Sequence, residues 1–242
     1  MKTRPIRLGL VDSGLSASQE KHVVAGRVFL ADTTEQRISE VPEPDALGHG
    51  TAVCDVILHY APKVALYNAQ VFDGRGITTA ASVAAAIDWL VQEKVPVINL
   101  SLGLREDREI LKEACAKAVA AGNILIAAAP AQGRATYPSA YPGVIRATGD
   151  ARCAVGEISF LDSVQADFGG CARDISPDQN PPPSQAGQAR QAENARVGGA
   201  SIGTAHVCGQ VAAYLQAGGR VSSVREWLVS RANYLHNERR IE

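Results

Sequence analysis

Several function classes are excluded by what the chain lacks. It has no excess of either charge: 24 Lys and Arg against 25 Asp and Glu leave a formal net charge of -1 over 242 residues. Bulk electrostatics therefore draws it neither to nucleic acid nor to an anionic membrane surface. It has no long hydrophobic run. The longest candidate, Asn123 to Ala131, contains Pro130 and reaches about half of the roughly 18 apolar residues that a membrane span needs. The opening MKTRPIRLGL carries three basic groups but not the apolar stretch of about 7–15 residues that a secretory signal requires, which predicts a cytoplasmic location. Cysteine is sparse and scattered: Cys54, Cys115, Cys153, Cys171 and Cys208 are odd in number and form no C-x-x-C pair. That pattern speaks against a disulfide framework and a zinc ribbon, and predicts buried reduced thiols.

What is present fits one globular domain over residues 1–242, with 46% hydrophobic residues, enough for a sizeable core. Ile6 to Val11, Val64 to Ala69, Val95 to Leu100 and Ile124 to Ala129 are short apolar runs that read as buried strands. Between and after them, apolar residues recur at helical spacing: Val83, Ile87, Leu90 and Val91; Ile110, Ala114 and Ala118; Val207, Val211 and Leu215. Continuous apolar strands alternating with helices predict an α/β fold with a parallel sheet covered on both faces. Asp73-Gly74-Arg75-Gly76 reads as a turn. From Asp174 to Arg196 the chain is polar and Pro-rich and predicts a long exposed loop, either a substrate-contacting flap or a connector. The tail from Asn233 to Glu242 reads as a solvated end.

In open parallel sheets the reactive groups gather beyond the carboxyl ends of the strands. Asp12 follows the first apolar run; it is either a turn former before Ser13-Gly14 or an acid that orients an imidazole. His49 stands between Gly48 and Gly50, directly before a helical stretch through Val53, Val56 and Ile57. Flanking glycines give close backbone approach, which suits a base, although glycines are also ordinary loop residues. Ser201 lies in Gly199-Ala200-Ser201-Ile202-Gly203-Thr204-Ala205-His206-Val207, at the mouth of a helix, as an N-cap or a nucleophile. Together, Asp, His and Ser at element boundaries are the set that nucleophilic acyl transfer requires. The Gly-x-Ser-x-Gly string also matches the nucleophile elbow of α/β-hydrolases, but no Asp follows Ser201. The order Asp, His, Ser is that of subtilisins. His49, Cys54 and His59 lack the spacing of a zinc protease, so no metal is expected. His22, His59, His206 and His236 read as packed or surface histidines.

These motifs resemble those of the subtilases, the subtilisin-like serine proteases. Asp12-Ser13-Gly14 resembles the acid motif, Gly48-His49-Gly50-Thr51 matches the His motif, and Gly199 to Val207 resembles the Ser motif. Ile98-Asn99-Leu100-Ser101-Leu102-Gly103 and Tyr137 to Ile145 resemble further family segments, so the similarity covers roughly residues 6 to 216. The resemblance implies a three-layer α/β/α sandwich with a mostly parallel sheet. It implies Ser201 as nucleophile, His49 as general base and acid, and Asp12 as the residue that fixes the imidazole. A peptide would lie along Ser101, Leu102 and Gly103, with Ala128, Ala129 and Pro130 walling the pocket for the residue before the cut. No cofactor is implied, and the implied partner is a peptide or protein substrate.

The departures from the family pattern are informative. Ala131 stands where the family has the Asn that donates to the oxyanion, and Ala200 where a Thr commonly assists it. The Ser201 backbone N–H remains, and Gln132, one residue on, is a candidate substitute. Asn123 starts the strand that ends near Ala129, at the wrong end of the sheet to help. Loss of one such donor costs about 2.7–4 kcal/mol of transition-state stabilisation, a magnitude set by a subtilisin itself. Because Asp12 comes so early, no inhibitory propeptide is expected. Size and architecture resemble bacterial subtilisin-like maturation proteases, such as the one that trims the small subunit of quinohemoprotein amine dehydrogenase. The sequence thus predicts a slow, selective endopeptidase for leader or propeptide removal. The alternative is a pseudoprotease that uses its groove as a peptide-binding scaffold.

Overall fold

The computed structural model describes residues 5–31, 36–39, 41–175 and 198–236. An interior strand of its sheet is β1 (Arg7–Asp12), in which every residue after Arg7 is buried. Successive side chains of a strand point to opposite faces. Leu8 and Leu10 accordingly join one apolar cluster, and Val11 joins the other. Parallel strands β4 (Ala65–Gln70) and β5 (Val97–Leu100) flank β1 on its two sides. Beyond β5 come β6 (Ile124–Ala128), β7 (Ile145–Asp150) and β9 (Phe168–Cys171), all parallel. Beyond β4 come β2 (Val23–Ala31), parallel to it, and the antiparallel edge strand β3 (Gln36–Ser39). With β8 (Ile158–Phe160) and β10 (Tyr234–Leu235), the sheet runs in the order β10-β8-β9-β7-β6-β5-β1-β4-β2-β3.

Helices cover both faces. On one side α1 (His49–Tyr60) packs against α4 (Ala200–Gln216), with the short α5 (Val224–Ser230) beside them. On the other, α2 (Ala80–Gln92) packs against α3 (Glu109–Ala120). The apolar stripe of α1, Val53, Val56 and Ile57, is fully buried, which contributes roughly 1.5–3 kcal/mol per side chain. This is the three-layer α/β/α sandwich expected from the sequence.

Strand parity decides which side chains meet. Leu8 and Leu10 face α1 and α4, so Asp12, two residues on, faces the same way. Val97 also faces this side while Ile98 and Leu100 face the other, which puts Asn99 and Ser101 toward α4. The carboxyl ends of β1, β5 and β6 therefore form one rim beneath the N-termini of α1 and α4.

One sequence expectation is refined and another is not tested. The tail is solvent-facing as expected at Asn233, Leu235 and His236, but its main chain is tied down: β10 pairs in parallel with β8, and Asn233 and His236 bond by their N–H groups to Ile158 and Phe160 at 2.7 Å each. Main-chain pairing needs no apolar pattern, so composition concealed it. The loop expected over Asp174–Arg196 is described only at Asp174 and Ile175; residues 176–196 lie outside the described residues. All five cysteines are free and buried, as predicted. Among the described residues no helix is long and apolar enough to cross a membrane.

Candidate active site

Asp12 closes β1 and is fully buried. Its Oδ1 accepts the Ser13 N–H at 2.7 Å and lies 2.7 Å from His49 Nδ1, while Oδ2 is buried without a hydrogen-bond partner. An ionised carboxylate only accepts, so His49 Nδ1 carries the proton and Nε2 is left with its lone pair. His49 opens α1, and the two glycines beside it have separate reasons. Gly48 has φ 73°, in the left-handed region that a side chain disfavours. At Gly50 an added Cβ would stand 2.2 Å from the Gly14 carbonyl oxygen, so only glycine lets the helix start this close to the acid turn. Burial opposes charging of His49, but the hydrogen bond and charge of Asp12, joined by the charge of Asp45, outweigh it. The imidazole therefore titrates above its ordinary value.

Ser201 is the second residue of α4. Its Oγ donates to the Ser101 carbonyl at 3.1 Å, and Ser101 Oγ donates to the Ser201 carbonyl at 3.0 Å. Asn99 Nδ2 supports this pair by donating to Ser101 Oγ at 3.0 Å. Asp12, His49 and Ser101 line one cleft of about 180 Å³, together with Leu47, Phe72 and Gly76. Ser201 thus reaches the rim shared with Asp12 and His49, but among the described residues its hydroxyl is bonded to Ser101 and not to His49.

The segment after β6 is different in kind. Ala129 is buried against Leu161 and Ala166, its N–H bonded to the Ala147 carbonyl at 2.7 Å. Ala128 is buried within β6, Pro130 is half-buried, and Ala131 and Gln132 are exposed. Ala131, Gln132 and Gly133 edge a second cleft of about 460 Å³, together with Thr148 to Arg152. Ala131 offers only a methyl group there, and the Gln132 amide makes no hydrogen bond among the described residues. Asn123 bonds to the Val95 carbonyl at 2.6 Å, at the start of β6 and away from the rim. Of the implied groove, Ser101 and Leu102 are buried and Gly103 is exposed.

The structure adds residues that the sequence did not single out. Asp45 Oδ2 accepts Thr51 N–H at 2.8 Å and Thr51 Oγ1 at 2.7 Å. Its Oδ1 accepts Ser13 Oγ at 2.8 Å, Gly48 N–H at 2.9 Å and Leu47 N–H at 3.1 Å. An Asp just ahead of a predicted helix start was the available signal. His206 is fully buried and uninvolved in the rim: Tyr60 OH donates to its Nδ1 at 2.7 Å, and its Nε2 donates to the Arg173 carbonyl at 3.0 Å. Burial lowers its pKa, so it is a neutral packing histidine, as expected.

Comparison with known proteins agrees with this geometry. Residues 4–241 match the Subtilase family. Subtilisin DY of Bacillus licheniformis is 32% identical over 156 residues, covering 58% of this chain and 54% of its own length. Subtilisin NAT of Bacillus subtilis subsp. natto is 29% identical over 250 residues, covering 96% of this chain and 61% of its own. The chain thus spans about half to three-fifths of these two relatives. The solved structure of a lanthipeptide protease superposes with a TM-score of 0.62 at 18% identity, over 91% of this chain and 78% of that one. The match over nearly the whole sequence, on a sheet whose rim gathers an Asp, a His and a Ser, places this chain in the subtilase family.

Proposed function

We propose that the chain is a subtilisin-type serine endopeptidase acting on a specific peptide or small protein, with Ser201 as nucleophile, His49 as base and acid, and Asp12 as its orienting carboxylate. One observation carries this assignment: a buried carboxylate 2.7 Å from an imidazole nitrogen, in a cleft also lined by Ser101, which is bonded both ways to Ser201.

In the reaction Ser201 Oγ exchanges its bond to Ser101 for one to His49 Nε2. As Oγ attacks the scissile carbonyl, its proton passes to Nε2, and Asp12 stabilises the imidazolium. His49 then gives the proton to the leaving amine, and water repeats the sequence on the acyl-enzyme. The oxyanion meets the Ser201 N–H, one of the first-turn donors of α4 that have no partner within the helix. Ala131 supplies no second donor, so turnover is slow, by roughly 10²–10³ relative to an enzyme with both. The Gln132 amide is the nearest candidate replacement. Peptide main chain would add a strand along Ser101, Leu102 and Gly103.

A slow enzyme with a narrow substrate range suits the removal of a leader or propeptide inside the cytoplasm better than digestion. The fold neighbour that is a lanthipeptide protease supports a peptide as the substrate class. The test is a peptide library incubated with native protein and with Ser201→Ala, read by mass spectrometry. Discrete cuts made by the native protein alone support the proposal. Equal cutting by both removes Ser201 from the mechanism, and peptide retained intact by both favours the scaffold.

A further inference from the structure

We propose that Asp45 is a second carboxylate of the proton relay, a positioning residue that ties the Asp12 turn to the first turn of α1 and offsets the positive end of that helix where the His49 imidazolium forms. The proposal rests on the assignment of His49 as the base.

His49 is the first residue of α1. The first-turn N–H groups of a helix carry a partial positive charge that disfavours a cation beside them. A base placed there becomes an imidazolium against that field. Asp12 answers it from β1. Asp45 answers it from the helix end itself, because its carboxylate accepts the N–H of Gly48 and of Thr51. The same carboxylate accepts Ser13 Oγ, and that hydroxyl in turn accepts the Gly50 N–H at 2.9 Å. One side chain thereby joins the residue after the acid to residues on both sides of the base. Its five hydrogen bonds leave it no spare acceptor role elsewhere.

The other groups around the imidazole do not duplicate this. Asp55, further along α1, is bound to Gln19 Nε2 at 2.6 Å, and Cys54 is a buried thiol whose pKa is pushed up, chiefly by burial. Of the other residues lining the cleft, Leu47, Phe72, Gly76 and Ser101 are uncharged. In the loop after β4, Arg75 is paired with Asp73 at 2.9 Å. Asp45 itself stays ionised: its partial burial is outweighed by the bonds from Thr51, Ser13 and Gly48, which hold it below the usual carboxylate range. Its charge also favours the protonated form of His49, in second place to Asp12.

The sign of the effect is fixed. Removing the Asp45 charge destabilises the imidazolium, so the His49 titration midpoint moves down. The acid limb of kcat/KM moves down with it, while the plateau rate falls because the imidazolium of the transition state is less stabilised. The experiment follows the His49 ring protons by NMR against pH in native protein, Asp45→Asn and Thr51→Val. Thr51→Val removes one hydrogen bond to Asp45 but keeps the charge, so it lowers Tm and leaves the midpoint in place. Should Asp45→Asn not fold, Asp45→Ser, which also removes the charge and keeps a hydroxyl oxygen that accepts a hydrogen bond, carries the same test. A midpoint that shifts down in the neutral variant alone supports the proposal. A midpoint unmoved in that variant, or moved equally by Thr51→Val, overturns it. Because the readout needs no turnover, a shifted midpoint in a chain that cuts nothing would sustain the role of Asp45 and reject the peptidase.

Discussion

The two halves of the rim are built to different standards. Around β1 and α1, Asp12, Ser13, Asp45, His49 and Thr51 are linked by hydrogen bonds of 2.7–2.8 Å. Beyond β6, Ala131 and Gln132 stand exposed with no side-chain hydrogen bond among the described residues. In the proposed reaction the first half would move protons, and the second would stabilise negative charge. Pre-organised donors aimed at developing charge are commonly the larger part of catalysis. On the proposed reading, the difference between the halves predicts an enzyme assembled for proton transfer, with little of the rate that a full oxyanion hole supplies.

The largest effect should come from the proton-moving half. His49→Ala or Ser201→Ala should lower kcat by about 10⁶, the scale that such removals set in a subtilisin, measured by single-turnover cleavage of the best library peptide. A loss below about tenfold would mean that the linked half is structural. The next effect sharpens the contrast from the other side. Ala131→Asn supplies a donor where none exists and should raise kcat by up to about 10²–10³ with KM little changed. An unchanged kcat would show that another group, Gln132 foremost, already fills the role; Gln132→Ala would then lower it.

A smaller effect tests the joint between β5 and α4. Ser101→Ala removes the donor to the Ser201 carbonyl and strands Asn99 Nδ2, whose companion Oδ1 is already buried without a partner. Unsatisfied buried groups cost about 1–3 kcal/mol each, so Tm should drop by several degrees in calorimetry. No change would show that water replaces the hydroxyl. The smallest effect is one of linkage. His49 has a pKa raised above its unfolded value, so its contribution to stability is fully present below about pH 6.5 and is lost as pH rises through the folded value. Urea unfolding of native protein and His49→Gln should differ more at pH 5.5 than at pH 9. A gap that widens with pH would mean that His49 is not held by Asp12 in solution.

Much of the buried half of the fold was legible in the sequence because fully covered strands read as continuous apolar runs: β1, β4, β5 and β6 fall on the runs at Ile6, Val64, Val95 and Ile124. The weaker strands were not legible. β9 reads Phe-Gly-Gly-Cys, and glycine argues against a strand. It is tolerated because a Cβ at Gly170 would come within 2.6 Å of the Gly203 carbonyl on α4, a contact that no local pattern reveals. β8 and β10 are held by main-chain pairing over three and two residues, too short for any periodicity.

The rim shows the same division. Asp12, His49 and Ser201 stand at element boundaries that could be placed from the chain alone. Asp45 and Ser13 are polar residues in turns, where polarity is the default, and their bonds exist only because α1 folds back onto the end of β1. The bond from Ser201 to Ser101 spans a hundred positions of sequence and depends on the parity of β5 and the seat of α4.

The central claim is that Asp12, His49 and Ser201 act as one working relay despite the Ser201 hydroxyl resting on Ser101. It is tested most directly by exposing native protein and His49→Ala to a fluorophosphonate and locating the adduct by peptide mass mapping. Stoichiometric modification of Ser201 in native protein, lost in His49→Ala, is the predicted result. A native Ser201 that stays unmodified, or one modified equally without the imidazole, would contradict it.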